Sequence, residues 1–189
     1  MLRVIMRVFC AIFLFAAGLC AAGQNRFADL VFCDLDRVAR HPLDPKEKLA
    51  SVLLFYWHDC PICNSYAPEM NRIAGAYTNF AFYIVQVDSD LTHAAAREHA
   101  KEYNLKAPVL IDPHHNLVKL AGATVTPQAV IIGKKGEVLY SGRIDDLYTA
   151  PGKRRAAATQ HDLREALEAI TGGKRVKKRA TTAIGCSIP

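Results

Sequence analysis

Residues 51–57 (SVLLFYW) form an unbroken apolar, aromatic and β-branched run, and the chain then passes at once into Cys60-Pro61-Ile62-Cys63. A run of this length with no polar face suits a strand covered on both sides. That requirement is the strongest constraint in the chain, because a strand buried twice needs helices above and below its sheet. Pro61 suits the first position of a helix, where its missing N–H is not needed. The pattern therefore predicts a helix over residues 61–76, with Pro68 kinking it or loosening one turn. Two thiols, three positions apart, fall at the strand-to-helix junction.

The remaining periodicity extends the same arrangement. A short strand or hairpin is expected over residues 30–35. Residues 80–87 (FAFYIVQV) read as a second buried strand, 92–103 as a helix, 108–111 as a strand and 116–121 as a short helix. Residues 129–132 (AVII) form another strand, and a turn at Lys134-Lys135-Gly136 returns the chain through residues 137–140 as a hairpin. A helix is expected over 159–170, with Thr159 as N-cap, Asp162 completing a loose capping box and Gly172-Gly173 ending it. Strands alternate with helices and a hairpin closes the sheet. The fold class is α/β, with three layers and a central mixed β-sheet flanked by helices.

The N-terminus is set apart from this domain. Arg3 and Arg7 precede an almost wholly apolar stretch over residues 8–22, and Ala21-Ala22-Gly23 follows. This is the secretory-signal pattern, and it is short for a membrane span. Residues 1–22 are expected to be a signal peptide; an uncleaved membrane anchor or a lipoprotein is the alternative. The domain is then expected over 24–171, in a periplasmic or secreted protein. Cleavage lowers Lys plus Arg from 24 to 22 while Asp plus Glu stays at 18, so the net charge falls from +6 to +4. Cysteines fall from six to four: Cys33, Cys60, Cys63 and Cys186. An exported chain can keep disulfides, and sequence does not choose among the three pairings of four cysteines. Residues 172–189 carry Lys174, Arg175, Lys177, Lys178 and Arg179, and are expected to be a solvated, poorly ordered basic tail. Weak contact with an anionic membrane surface is its functional alternative. No aromatic residues interleave with these charges, which argues against nucleic acid as a partner.

The junction is where chemistry is expected. Cys60 falls near the N-cap of the predicted helix, where unpaired N–H groups and the helix dipole favour thiolate over thiol. Cys63 lies one turn further on the same face. Cys60 is thus the candidate attacking thiolate and Cys63 the candidate resolving thiol. Asp59 opposes thiolate formation and a protonated His58 favours it, so both are candidate modulators. A zinc site wants a second ligand pair that the sequence lacks. A Cu(I) site using Cys60, Cys63 and His58 or a nearby histidine is the non-enzymatic alternative, as is a redox-sensing or assembly module.

Four segments together resemble the thioredoxin-fold redoxin family, in its exported TlpA-like and AhpC/TSA-like branch. They are VLLFYWHDCPICNSYAPEMNRI; Tyr103-Asn104-Leu105 with Pro108-Val109-Leu110-Ile111-Asp112; Val125-Thr126-Pro127 before AVII; and Gly136-Glu137-Val138-Leu139-Tyr140-Ser141-Gly142-Arg143. The resemblance implies a thioredoxin-like fold and a thiol–disulfide oxidoreductase acting in cell redox homeostasis on protein thiol and disulfide clients, with an unidentified redox partner. It implies a cis Pro127 facing the dithiol. It also implies that Thr126 and Pro127, with Trp57, dock the client chain. No cofactor or metal is implied, since the cysteine pair is itself the redox centre. Peroxiredoxins carry Thr or Ser three residues before their reactive cysteine; here that position is Trp57, which disfavours peroxidase activity. Cys33 and Cys186 are possible accessory thiols: Cys186 either reaches the dithiol as a third redox group, bridges to Cys33, or has no role.

Overall fold

The computed structural model describes residues 30–189. The expected signal peptide over residues 1–22 lies outside the described residues. The elements run β1 (Phe32–Cys33), β2 (Ala39–Arg40), β3 (Ser51–Tyr56), α1 (Pro61–Ala76), β4 (Ala81–Gln86), α2 (His93–Glu102), β5 (Val109–Ile111), α3 (Asn116–Ala121), β6 (Val125–Thr126), β7 (Gln128–Ile132), β8 (Val138–Gly142), β9 (Tyr148–Ala150), β10 (Lys153–Arg154), α4 (Asp162–Thr171) and β11 (Cys186–Ser187).

The central sheet has the order β5-β4-β3-β7-β8. β3, β4 and β5 are parallel, and β7 and β8 run against them. Every residue of β3 is buried. Its side chains alternate, as the pleat dictates. Val52, Leu54 and Tyr56 join a core with Ile62, Tyr66, Met70 and Ile73 of α1 and Leu163, Ala166 and Leu167 of α4. Leu53 and Phe55 join a second core with Leu117, Val118 and Ala121 of α3. The expected three-layer, thioredoxin-like α/β architecture follows from this two-sided burial.

Pro68 sits inside α1, which runs unbroken from Pro61 to Ala76. An interior proline costs about 3 kcal/mol. Burying Ile62, Met70 and Ile73 contributes about 1.5–3 kcal/mol each, which outweighs it.

Both edges of the sheet are covered, which removes the exposed hydrogen-bonding rows of an open edge. At β5, the N-terminal hairpin supplies a bridge from Asp34 to Leu110, and Leu35 N–H donates to Val109 O at 3.2 Å. Asp34 pins that hairpin by accepting from Val38 N–H at 2.9 Å and Arg40 Nε at 2.7 Å. Burial acts to raise its pKa, but those bonds and one from Asp36 N–H outweigh it and hold it low.

The far edge corrects an expectation. Residues 172–189 are not a free tail. Ala180 bridges Ser141 in parallel, Ser141 N–H donates to Arg179 O at 2.9 Å, and Thr181 N–H returns to Ser141 O at 3.1 Å. Val176 is buried in the first core. Lys178 Nζ lies 2.6 Å from Asp162 Oδ1, and Arg143 Nε lies 2.6 Å from Asp162 Oδ2. The like-charge run is held because the folded chain places a buried carboxylate under it. The tail then pairs through β11 with β6 in antiparallel register, Cys186 opposite Thr126 and Ser187 opposite Val125.

Helix α4 begins later than expected, at Asp162, and its N-cap residue His161 makes no side-chain cap. Thr159 is engaged elsewhere: its N–H and hydroxyl each donate to Asp146 at 2.6 Å. Among the described residues no helix is long and apolar enough to cross a membrane.

Candidate active site

Helix α1 starts where β3 ends. Cys60 is its N-cap residue, with extended backbone and Pro61 immediately after it. Cys60 N–H donates to Trp57 O at 3.0 Å, closing the turn, and Cys60 O accepts from Asn64 N–H at 3.0 Å, starting the helix. No side chain caps the first turn. Its unpaired N–H groups and the positive end of the dipole therefore face the Cys60 sulfur, an arrangement that stabilises negative charge there.

Cys60, Cys63 and Thr126 are all fully buried. Thr126 ends β6, and the Thr126–Pro127 peptide bond is cis. Cys60 Sγ lies 3.5 Å from Thr126 O. Cys60 is bonded not to Cys63 but to Cys186, across 126 residues and with a Cα–Cα distance of 6.2 Å. Thr126 Oγ1 donates to Cys186 O at 3.5 Å. Cys63 is a free buried thiol. Burial pushes its pKa up to about 12, and contacts with the Trp57 backbone and the Thr126 hydroxyl pull it back only in part. Cys33 is free and exposed on β1. The Cys33–Cys186 bridge is therefore not formed, because the tail's docking on β6 sets Cys186 against Cys60 and Cys33 stays free on β1.

The two candidate modulators meet each other. His58 Nε2 is 3.3 Å from Asp59 Oδ1, and His58 Nδ1 is 3.3 Å from Asp88 Oδ2. Trp57 packs against both cores from its position before the active turn, and its buried indole Nε1 finds no hydrogen-bond acceptor.

Behind the first turn of α1 lies a polar chain that sequence reading missed. Asn64 Oδ1 accepts from Tyr56 OH at 2.7 Å and lies 3.0 Å from His99 Nε2, while Asn64 Nδ2 donates to His58 O at 3.0 Å. With Asn64 Oδ1 as acceptor, His99 carries its proton on Nε2, and Nδ1 faces Gln86 Nε2 at 3.4 Å. Burial, and then nearby His58, lower the His99 pKa and keep it neutral. This chain fixes the backbone before Cys60 to the helix after it. Asn64 was visible as the fourth residue after Cys60; nothing in the sequence places His99 or Gln86 beside it.

Among the described residues there is no cluster of three or more His, Cys, Asp or Glu side chains suited to a metal ion.

A strand-to-helix turn bearing Cys-Pro-Ile-Cys, set against a β6 edge that ends in a proline, belongs to the thioredoxin-like class. The comparisons agree. The AhpC/TSA family model matches residues 42–141, and the chain belongs to that family. The thiol-disulfide oxidoreductase ResA of Bacillus thuringiensis is 33% identical over 89 residues, 47% of this chain and 51% of ResA. The chain thus spans about half the length of the curated relatives it matches. A hypothetical protein from Sinorhizobium meliloti superposes with a TM-score of 0.73 at 26% identity, covering 87% of this chain and 92% of that one. A secreted Mycobacterium tuberculosis disulfide oxidoreductase, homologous to Escherichia coli DsbE, superposes with a TM-score of 0.56 at 19% identity. It covers 77% of this chain and 99% of that one, and at this identity shares the fold alone.

Proposed function

We propose that this chain is an exported thiol–disulfide oxidoreductase acting on protein clients. In this reading Cys60 is the exchanging sulfur. It attacks a client disulfide as thiolate, or as a disulfide is attacked by a client thiolate. Cys63 is the resolving thiol: its sulfur displaces the client from Cys60, forming Cys60–Cys63 and releasing the client cysteine as a thiol. Two electrons leave the dithiol for the client, or return by the reverse path. Thr126, Pro127 and Trp57 form the docking surface, and the sulfurs serve as the redox groups without a dissociable cofactor.

One observation carries the reading. The Cys60 sulfur sits at an uncapped helix N-terminus and against the Thr126 carbonyl, beside a two-residue strand that pairs with an extended cysteine-bearing segment. The protonated, buried Cys63 suits a second step, since it exchanges only when drawn to a neighbouring disulfide. The disulfide at Cys60 and the apolar N-terminal stretch support an oxidising compartment outside the cytosol. The test is dithiothreitol-coupled reduction of insulin disulfides. Cys60→Ser is expected to abolish turnover, and Cys63→Ser/Cys186→Ser to trap a client mixed disulfide on Cys60. Undiminished turnover in Cys60→Ser would refute the assignment. Stoichiometric Cu(I) binding by reduced protein without any turnover would put metal holding in its place.

A further inference from the structure

The chain carries a segment on the very edge assigned above to clients. β11 lies antiparallel on β6, Cys186 opposite Thr126 and Ser187 opposite Val125, and Ile188 N–H reaches Thr124 O at 3.5 Å. Its cysteine is joined to Cys60. We infer that residues 185–187, Gly-Cys-Ser, are a tethered substrate: the oxidised protein holds its own tail in the client groove as a mixed disulfide on the exchanging cysteine.

Three independent features favour a built fit over a chance contact. The first is Gly185. A Cβ at this position would lie 2.5 Å from the Thr126 carbonyl carbon and 3.0 Å from Pro127 N, so only glycine lets the backbone approach the β6 edge before the cysteine. The second is Gly142, on β8. A Cβ there would lie 2.6 Å from Thr181 O, so the sheet itself clears space for the tail upstream. The third is the anchorage between them. Thr181 Oγ1 accepts from Arg143 N–H at 3.0 Å and lies 2.8 Å from Tyr140 OH, which itself donates to Arg143 O at 2.6 Å. Lys178 is fixed on buried Asp162. The anchors fix the tail at residues 176–181 and leave a short span to Cys186, so the segment is delivered to the groove whether or not the bond is made.

Release needs no outside oxidant or reductant. Cys63, losing its proton to solvent, attacks Cys60 Sγ. The Cys60–Cys186 bond breaks, Cys60–Cys63 forms, and Cys186 leaves as a thiolate that takes up a proton. The step is isoelectronic and places the disulfide on the pair that exchanges with clients. An external thiol attacking Cys186 instead frees Cys60 directly as thiolate and leaves the tail linked to that thiol. The same geometry defines the client chemistry: an extended peptide with glycine just before its cysteine, laid antiparallel on residues 125–126.

This inference rests on Cys60 being the exchanging thiol, and the experiment separates the two. Trypsin cuts residues 180–189, 49–72 and 27–37 into distinct peptides. Non-reducing peptide mapping of air-oxidised protein is expected to link residues 180–189 to 49–72. The link should persist in Cys63→Ser and vanish in Cys60→Ser; a link to the Cys33 peptide instead would overturn the inference. Next, reduced Cys33→Ser protein is mixed with the synthetic peptide TAIGCSIP activated as its thionitrobenzoate disulfide, and attachment of the peptide to residues 49–72 is followed by non-reducing peptide mapping. Gly185→Ala, which cannot seat its own tail, is expected to react about tenfold faster than the unaltered chain, where the tail competes for the groove. Equal rates would overturn self-occupation while leaving the exchange chemistry standing. Peptide capture by Cys60→Ser at the unaltered rate would overturn both readings together.

Discussion

The Cys60–Cys186 bond makes a large prediction about stability. It closes a loop across 126 residues, most of the described chain. In the chain-entropy treatment a loop of that length removes about 5 kcal/mol of freedom from the denatured ensemble. Strand pairing, the Lys178–Asp162 pair and burial of Val176 already bring the tail to the site in the native state. The perturbation is reduction of the bond in Cys33→Ser/Cys63→Ser protein, where neither alternative partner among the described residues remains. With a urea dependence of about 2 kcal/mol per molar for a domain of this size, the midpoint should fall by about 2–3 M. Trp57 is the single tryptophan and reports unfolding by fluorescence, with far-ultraviolet circular dichroism as a second probe. Cys186→Ser should reproduce the reduced midpoint, and oxidised Cys33→Ser should match the oxidised parent. Oxidised and reduced midpoints within about 0.5 M of one another would refute the reasoning. They would mean that the tail does not hold its place on β6, or that the unfolded chain is already as compact as the cross-link makes it.

Three further outcomes follow from single groups. Asp162 is buried beneath two cations. Burial works to raise its pKa, but the hydrogen bonds from Arg143 and Lys178 prevail and lower it. A depressed carboxylate stabilises the fold above its unfolded pKa and loses that contribution as pH falls through the folded value. Asp162→Asn should therefore cost about 2 kcal/mol at pH 7, discounted because both cations are partly solvated, and should flatten acid unfolding below about pH 4. Gly142→Ala should displace Thr181 and expose the Lys178 and Arg179 bonds to trypsin in otherwise folded protein, read as early cleavage at these bonds in limited proteolysis analysed after reduction. Cys63, with its pKa pushed up to about 12 by burial, should resist iodoacetamide in native protein through pH 9, while exposed Cys33 is alkylated at once. Rapid native alkylation of Cys63 would mean that the pocket is open.

What the sequence disclosed depended on the range of the forces involved. Residues 51–57 announced a strand buried on both faces because every side chain there is apolar, and one local property decides that outcome. Pro61 marked the start of α1 for an equally local reason. The tail failed in the opposite way. Lys174, Arg175, Lys177, Lys178 and Arg179 read as a solvated run because a like-charge rule counts charges and not partners, and the partner Asp162 becomes a buried carboxylate only once α4 packs. Thr159 has the chemistry of an N-cap but meets Asp146 first. The pairing of Cys186 with Cys60 depends on the register of a two-residue strand against another two-residue strand, and no periodicity is legible over two residues. Asn64, His99 and Gln86 meet from α1, α2 and β4, so their convergence is a property of the sheet order alone.

These differences bear on how one sulfur can serve two partners. Cys63 is buried, protonated and on the same helix as Cys60, so its access to Cys60 changes little as the protein works. Cys186 reaches Cys60 only through a strand that can be laid down or lifted. A client must displace that strand to pair with residues 125–126, and in doing so it removes the competing thiol from the sulfur it is about to attack. Occupation of the groove and oxidation of Cys60 are thus coupled through one short segment, and by linkage each must change the other by the same factor. A peptide that binds the edge without a cysteine should therefore make the Cys60–Cys186 bond easier to reduce. The factor by which it does so should equal the factor by which reduction tightens the peptide's binding.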